Sequence, residues 1–280
     1  MLFDAHNHLH FAELTPHFDA ILDDLQAIGL AGAVVNGTHP DDDWADVNAL
    51  ADRYDWVLPS YGIHPWDVGQ RPSDWQDKFT RQLSASPRSP VGEIGIDRWM
   101  TDSARPDHPL LQDVVRAPYA EQVEVFTWQL RWAAAHDRPA TIHCLQAWGP
   151  LLEILRSSPL PARGFLLHAY GGSADMVPAF AELGAYFSYN TSFIDPRRAK
   201  THAAFRSVPR DRLLVETDAP ATPPPEPPYL LPSPTAGSRP LNHPANLVAA
   251  YAHLAQLRDH PLPDLTAQIS ANYHRLFLAL

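Results

Sequence analysis

A chain of 280 residues, 45% hydrophobic and 19% charged, has the make-up of a globular protein, long enough for one large α/β domain or two small ones. Its 32 acidic against 21 basic residues give a formal charge of −11. That balance disfavours tight, non-specific binding to nucleic acid, which is driven by phosphate neutralisation, and leaves a local basic patch open. One cysteine excludes an internal disulfide framework and fits a reducing cytoplasm. No apolar run reaches the roughly 18 residues of a membrane span, and the first residues lack the basic and apolar regions of a secretory signal.

Short apolar runs alternate with amphipathic stretches almost to the C-terminus. The first, "LFDAH", predicts a strand leading into His6, Asn7 and His8. Successive strand side chains point to opposite faces, so His6 and His8 share one face and could grip one cation. With fifteen histidines in the chain, an H-x-H can also arise by chance, and further ligands must come from elsewhere. A helical pattern over residues 17–29 precedes a strand at 32–38, and another over 43–55 precedes a strand at 57–65. A strand at 90–97 follows, then a long helical pattern at 119–137 and strands at 140–145, 164–170, 185–190 and 212–220. Helical stretches at 173–183 and 196–208 complete the alternation, and residues 246–257 form an ordinary amphipathic helix. Gly29 and Gly184 end helical stretches, as C-cap glycines do.

Eight strands alternating with helices predict a (β/α)8 TIM-like barrel, with residues 1–280 as a single domain. The competitor, a doubly wound open sheet, is weakened because no glycine-rich phosphate fingerprint follows the first strand. Two segments break the rhythm: Met100–Pro118, and the proline-rich Ala219–Pro240. Proline at that density resists helix and central strand, so both are expected to be loops on the catalytic face. The second is expected to wall a substrate pocket, rather than to act as a spacer or a polyproline ligand.

Glu93 in "VGEIGID", His143 in "TIHCL", His168 in "LLHAY" and Asp218 in "VETDAP" each fall near the C-terminal end of a predicted strand. All those ends open onto one face of a barrel. With His6 and His8 they make four imidazoles and two carboxylates, an inventory that suits Zn²⁺, Mn²⁺ or Mg²⁺ and is large enough for two ions sharing a carboxylate. His64, in "GIHPW", is read either as a substrate or phosphate contact at the pocket edge or as a structural residue. Glu216, two residues before Asp218, and Asp97 are candidate supports for the ligands. Cys144 next to His143 allows a thiol-nucleophile reading, but strand alternation turns the two apart, which favours a structural thiol. Trp66, Trp99 and Trp148 could stack on a base or simply pack.

At these motifs the chain resembles the TatD-like metal-dependent deoxyribonucleases of the amidohydrolase superfamily, over nearly its whole length. "FDAHNHL" is similar to the family's D-x-H-x-H-L, "YGIHPW" to G-x-H-P, "VGEIGID" to G-E-I-G-L-D and "RPATIH" to P-x-x-I-H. "LLHAYGG" resembles H-x-F-S-G, "LLVETDAP" resembles L-x-E-T-D-x-P, and "RPLNHPANL" and "ISANYHRLF" resemble the late R-x-N-x-P and N-x-x-R-L-F. The resemblance implies a TIM-like barrel with one or two divalent metals. It implies that His6, His8, Glu93 and Asp218 hold one ion, with Glu93 bridging to a second on His143 and His168. It also makes Asp218 the catalytic residue that orients or deprotonates the attacking water, chemistry consistent with an adjacent metal that lowers the pKa of water to about 7.

The chain departs from the family at Leu145, where an Arg is frequent, at "HAYGG", and at His243, which stands in place of an acid. The leading expectation is a cytoplasmic, exonuclease-like hydrolase acting on DNA ends, with no membrane and no obligate protein partner. The alternative keeps the metals and takes a small-molecule amide, lactone or phosphoester. A non-catalytic binding scaffold is the third reading, weakened by the complete ligand set.

Overall fold

Residues 1–232 and 240–279 are described by a computed structural model. Eight parallel strands follow one another in chain order around a single sheet: β1 (Leu2–Asn7), β2 (Leu30–Gly37), β3 (Val57–Tyr61), β4 (Val91–Asp97), β5 (Ala140–Leu145), β6 (Phe165–Leu167), β7 (Ala185–Asn190) and β8 (Leu213–Glu216). The helices between and after them are α1 (Phe18–Ala27), α2 (Trp44–Arg53), α3 (Trp75–Ala85), α4 (Tyr119–Ala135), α5 (Trp148–Ser157), α6 (Val177–Glu182), α7 (Ala199–Ser207), α8 (Leu247–Leu257) and α9 (Leu262–Tyr273). This is the expected (β/α)8 arrangement. Among the described residues no helix is long and apolar enough to cross a membrane.

The sequence dictates these elements through what each can bury. Every residue of β4 and of β7 is buried, as befits strands covered by helices on one side and by barrel filling on the other. α3 buries Trp75, Phe79 and Leu83, one stripe at i, i+4, i+8 facing the sheet.

The barrel closes between β1 and β8. The His8 amide donates to the Ala219 carbonyl (2.7 Å) and the Asp218 amide to the His6 carbonyl (3.0 Å). Asp4 fastens the seam from below: it accepts from the Thr217 amide (3.0 Å), the Thr217 hydroxyl (2.5 Å), the His6 amide (3.2 Å) and Asn7 Nδ2 (3.1 Å). Asp4→Ala strands several buried donors at once, so a stability loss of about 3 kcal/mol is expected. In a denaturation experiment an unchanged midpoint would show that the seam does not depend on this carboxylate.

Several strands stop earlier than their apolar runs suggest. His8 lies one residue beyond β1, His64 three beyond β3, His168 one beyond β6 and Asp218 two beyond β8. The chain turns at these points, with Ala169 and Asp218 at φ +42° and +54°. These four side chains therefore stand just after their strands, whereas His6, Glu93 and His143 lie within β1, β4 and β5. At Gly95 the approach is the reverse: a Cβ there would sit 2.0 Å from the His143 carbonyl oxygen. Glycine lets β4 lie close against β5, which brings Glu93 and His143 together.

The proline-rich tract begins as a loop and then forms β9 (Leu230–Leu231), paired antiparallel with β10 (Leu241–Asn242). Residues 233–239, part of the expected pocket wall, lie outside the described residues.

Candidate metal centre

Glu93 occupies the middle of the site, its two oxygens turned to two different groups of nitrogens. Oε2 lies 3.3 Å from His6 Nε2 and 3.2 Å from His8 Nε2, and those two nitrogens are 3.2 Å apart. Asp218 Oδ1 completes this group, 3.7 and 3.6 Å from the same nitrogens. Oε1 lies 3.0 Å from His143 Nδ1 and 2.9 Å from His168 Nε2, which are themselves 3.2 Å apart. A ligand shell of radius about 2.1 Å places neighbouring donors roughly 3.0 Å (octahedral) to 3.4 Å (tetrahedral) apart. The Glu93 contacts of both groups, at 2.9–3.3 Å, have close to that spacing, while Asp218 stands slightly outside it at 3.6–3.7 Å.

The proton positions decide whether these nitrogens can be ligands, because only a lone pair binds a cation. His8 Nδ1 is 2.7 Å from the Asn36 carbonyl, so it donates and leaves Nε2 as an inward lone pair. His168 Nδ1 faces Glu216 Oε1 at 3.4 Å, which fixes the same tautomer. His143 is reversed: Nε2 faces Asp97 Oδ2 at 3.4 Å, and Nδ1 turns its lone pair to Glu93. His6 Nδ1 lies 3.1 Å from the Asn36 side-chain amide, whose Oδ1 is buried and has no partner among the described residues. With the amide turned over, Oδ1 accepts from Nδ1 and frees Nε2 as well. Lone pairs and carboxylate oxygens then face one another at van der Waals distance or less. Buried acceptors in that arrangement call for a cation between them. The donor set therefore fits divalent metal.

The electrostatics reflect the same crowding. Burial pushes the Glu93 carboxyl up, but His168, His64, His6 and the His143 hydrogen bond overcome it and hold Glu93 well below the usual carboxylate range. Burial disfavours a charged His143, yet its bonds to Asp97 and Glu93 raise it to about 9, so that without a cation a proton on Nδ1 stands where the metal would and must leave for the lone pair to bind one. Burial dominates at Asp218 and raises it, against the pull of His168, His6 and His8.

His64 behaves differently from the other four. Its Nδ1 accepts from the Trp66 amide (3.2 Å), so Nε2 carries the proton and points it at the site, 3.5 Å from Glu93 Oε1. Burial, helped by the charge of His143, outweighs the opposing pull of Glu93 and lowers it to about 3, which keeps the ring a neutral donor.

The outer contacts are equally specific. Asp97 accepts from Trp66 Nε1 (2.6 Å) and from the Met100 amide (2.8 Å). Glu216 accepts from Asn190 Nδ2 (3.0 Å) and from the Ser188 hydroxyl. Both acids thus meet a histidine of the candidate centre, as the strand positions of Asp97 and Glu216 suggest. Cys144 is buried in the apolar core, and burial pushes its thiol up, which agrees with the structural reading. Trp148 packs edge-on to Tyr170 at 4.6 Å; Trp66 lines the cavity, and Trp99 stands 6.1 Å from it.

Sequence reasoning passed over Asn36 and His10. Asn36 reaches both His6 and His8 from β2, and nothing in its local sequence marks it. His10 continues the two-residue rhythm of His6 and His8, a signal that was available. Its Nε2 meets Asp43 Oδ2 at 3.0 Å. His243, the histidine in place of an acid, accepts from the Ala245 amide through Nδ1 (3.0 Å) and meets Asp24 of α1 through Nε2 (3.2 Å). The acid at this contact is supplied by α1 instead.

Above the centre opens a cavity of about 520 Å³, lined by His8, His64, Glu93, His143, His168 and Asp218. Glu13, Asp42, Asp43, Asp46 and Asp67 also line it, and among the described residues no Lys or Arg does. Of the proline-rich tract only Ala221 reaches this lining among the described residues.

Three comparisons bear on this geometry. The family model described as TatD-related DNase matches residues 3–278. A 3'-5' ssDNA/RNA exonuclease TatD of Cronobacter turicensis is 32% identical across 82% of this chain and 80% of its own, and an uncharacterized metal-dependent hydrolase, YabD of Bacillus subtilis, is 25% identical across 99% of both. The crystal structure of YjjV, a TatD homologue from Escherichia coli, superposes with a TM-score of 0.83 at 25% identity, covering 100% of this chain and 98% of that one.

Proposed function

This chain belongs to the TatD-related DNase family and is a metal-dependent hydrolase; from that premise we propose that it cleaves phosphodiester bonds at the ends of single-stranded DNA. We take the 280 residues to act as one hydrolase domain in the cytoplasm, a setting that the single cysteine fits. The observation that carries the reading is Glu93 facing two groups of inward lone pairs, one on each carboxylate oxygen. In this proposal His6, His8, Glu93 and Asp218 hold one divalent ion and Glu93, His143 and His168 a second. Bound divalent metal supplies Lewis acidity and lowers the pKa of water to about 7.

The protein groups then have separate tasks. Asp218 Oδ1 is turned to the histidines, while Oδ2 contacts Thr222 Oγ1 at 3.3 Å. Oδ2 takes the proton of the attacking water and returns it to the leaving oxygen. His64 Nε2–H donates to a non-bridging phosphoryl oxygen as negative charge builds on it. Removing one such donor typically costs about 10²–10³ in turnover. His64→Ala should therefore lower kcat on the order of 10²-fold with metal content unchanged; loss of metal in this variant would make His64 a ligand instead.

The cavity charge favours a second reading. Five carboxylates besides Glu93 and Asp218, and among the described residues no Lys or Arg, line it, and Leu145, where the family often has Arg, is 39% exposed. A long polyanion gains nothing from such walls, so a small amide, lactone or phosphoester is the alternative substrate. Metal-loaded protein assayed on single-stranded oligonucleotides, duplexes and small esters and amides separates the two. For the nuclease we expect end-dependent cleavage of single strands. In binding titrations with Asp218→Asn we expect a log–log salt slope shallower than about −1.4, two phosphate contacts at about −0.7 each. Hydrolysis of small substrates alone would move the assignment to the second reading.

A further inference from the structure

The basic residues missing from the catalytic cavity gather elsewhere. A second concavity, of about 310 Å³, is lined by Arg206, Arg210, Arg258 and His260, with Leu213, Leu257 and Leu265 as its apolar lining and Asp259 as its one acid among the described residues. Leu213 opens β8, whereas Asp218 follows its other end, so this concavity lies on the barrel face opposite the metal centre.

The arginines here are not spent on acids. Arg258 Nη1 donates to the carbonyls of Phe205 (2.6 Å), Arg206 (2.8 Å) and Val208 (2.9 Å). Those contacts cap the end of α7 and hold the guanidinium rigid, while Nε and Nη2 have no partner among the described residues. Arg206 and Arg210 are exposed and have no carboxylate within 4.0 Å among the described residues; the adjacent Asp211 lies against Arg212, 4.0 Å away. Burial and then the charge of Arg210 push Arg258 below its usual value. In a chain of net charge −11, cations left unpaired around a hollow are a cost that an anion would relieve. The free edge of a fixed guanidinium suits the oxygens of a phosphate, and the volume suits a small ligand.

We propose that this concavity binds a small organic phosphate monoester, its phosphate on Arg206, Arg210 and Arg258 and its apolar part against Leu213, Leu257 and Leu265. The site stands independently of the reaction on the opposite face.

Isothermal titration of the metal-loaded full chain with a nucleoside 5′-monophosphate and with inorganic phosphate tests it. Wild type should bind both, the nucleotide several-fold more tightly because it also covers the leucines. Arg206→Gln combined with Arg210→Gln should weaken this binding event at least tenfold and leave hydrolytic turnover unchanged, since both side chains are exposed, lie on the face opposite the metal centre and make no hydrogen bond or ion pair among the described residues. Replacing both by Lys should restore part of the affinity. Undiminished binding in the Gln pair would place the anion elsewhere and overturn the proposal. So would equal affinity for phosphate and nucleotide, or no saturable binding by wild type.

Discussion

Glu93→Gln is expected to lose both metal ions together and to lower turnover by on the order of 10³–10⁴-fold. The substitution keeps the side chain's shape but exchanges one carboxylate oxygen for an NH₂ and removes the negative charge. In either orientation a neutral amide then faces the lone pairs of His6 and His8 on one side and of His143 and His168 on the other, now met at 2.9–3.3 Å by the carboxylate. Metal catalysis of this kind is worth several kcal/mol, and each 1.36 kcal/mol is tenfold in rate. His168 Nε2 meets Glu93 through Oε1 alone, although its ring stacks on His6 at 4.0 Å, so His168→Ala should deplete one ion more than the other. Elemental analysis of the two variants beside wild type is the measurement. Full occupancy in Glu93→Gln, or equal loss in both variants, would falsify the bridging role.

The second large effect is expected at Asp218. Asp218→Asn retains an oxygen that can face His6 and His8, now 3.7 and 3.6 Å away, but the side chain can no longer take a proton. General acid–base catalysis is worth about 10²–10⁴-fold, and the loss should approach the upper end because the same residue serves both the attack and the departure. Asparagine also tolerates the left-handed backbone of this position, φ +54°, so the fold should hold. Cys144→Ser makes the contrast. The thiol is buried among core side chains and its replacement should leave most of the activity. Steady-state rates at equal metal content compare the two. If Cys144→Ser were the dead variant, a thiol nucleophile would replace the water mechanism.

How far the site was legible depended on the residue. His6, His8, Glu93, His143, His168 and Asp218 could be collected from sequence because strand ends of a barrel share one face, and six donors at matching ends exceed chance. Which oxygen of Glu93 faces which histidines could not be, since that depends on the close approach of β4 to β5 at Gly95. His64 had been left between substrate contact and structural residue. The Trp66 amide beside its Nδ1 makes it a donor into the cavity, a tautomer that no sequence pattern encodes. The expected pocket wall was the weakest expectation: proline resisted regular structure over most of the described tract, but Leu230–Leu231 pair as β9 with β10 beyond it, and only Ala221 of the described tract residues reaches the cavity.

By itself the sequence determined the alternation of buried strands and amphipathic helices, and hence the barrel, because hydrophobic periodicity is a local property that each segment carries. It also determined the inventory of candidate metal ligands. Tertiary structure alone decided the proton positions of the histidines, through Asn36, Asp97 and Glu216, which lie from 28 to 48 residues away along the chain. It decided too that the cavity is walled by acids while unpaired arginines collect on the opposite face. Hydrogen-bond partners and local fields arise from distances in space, and a net charge of −11 says nothing of where in the fold its parts will meet.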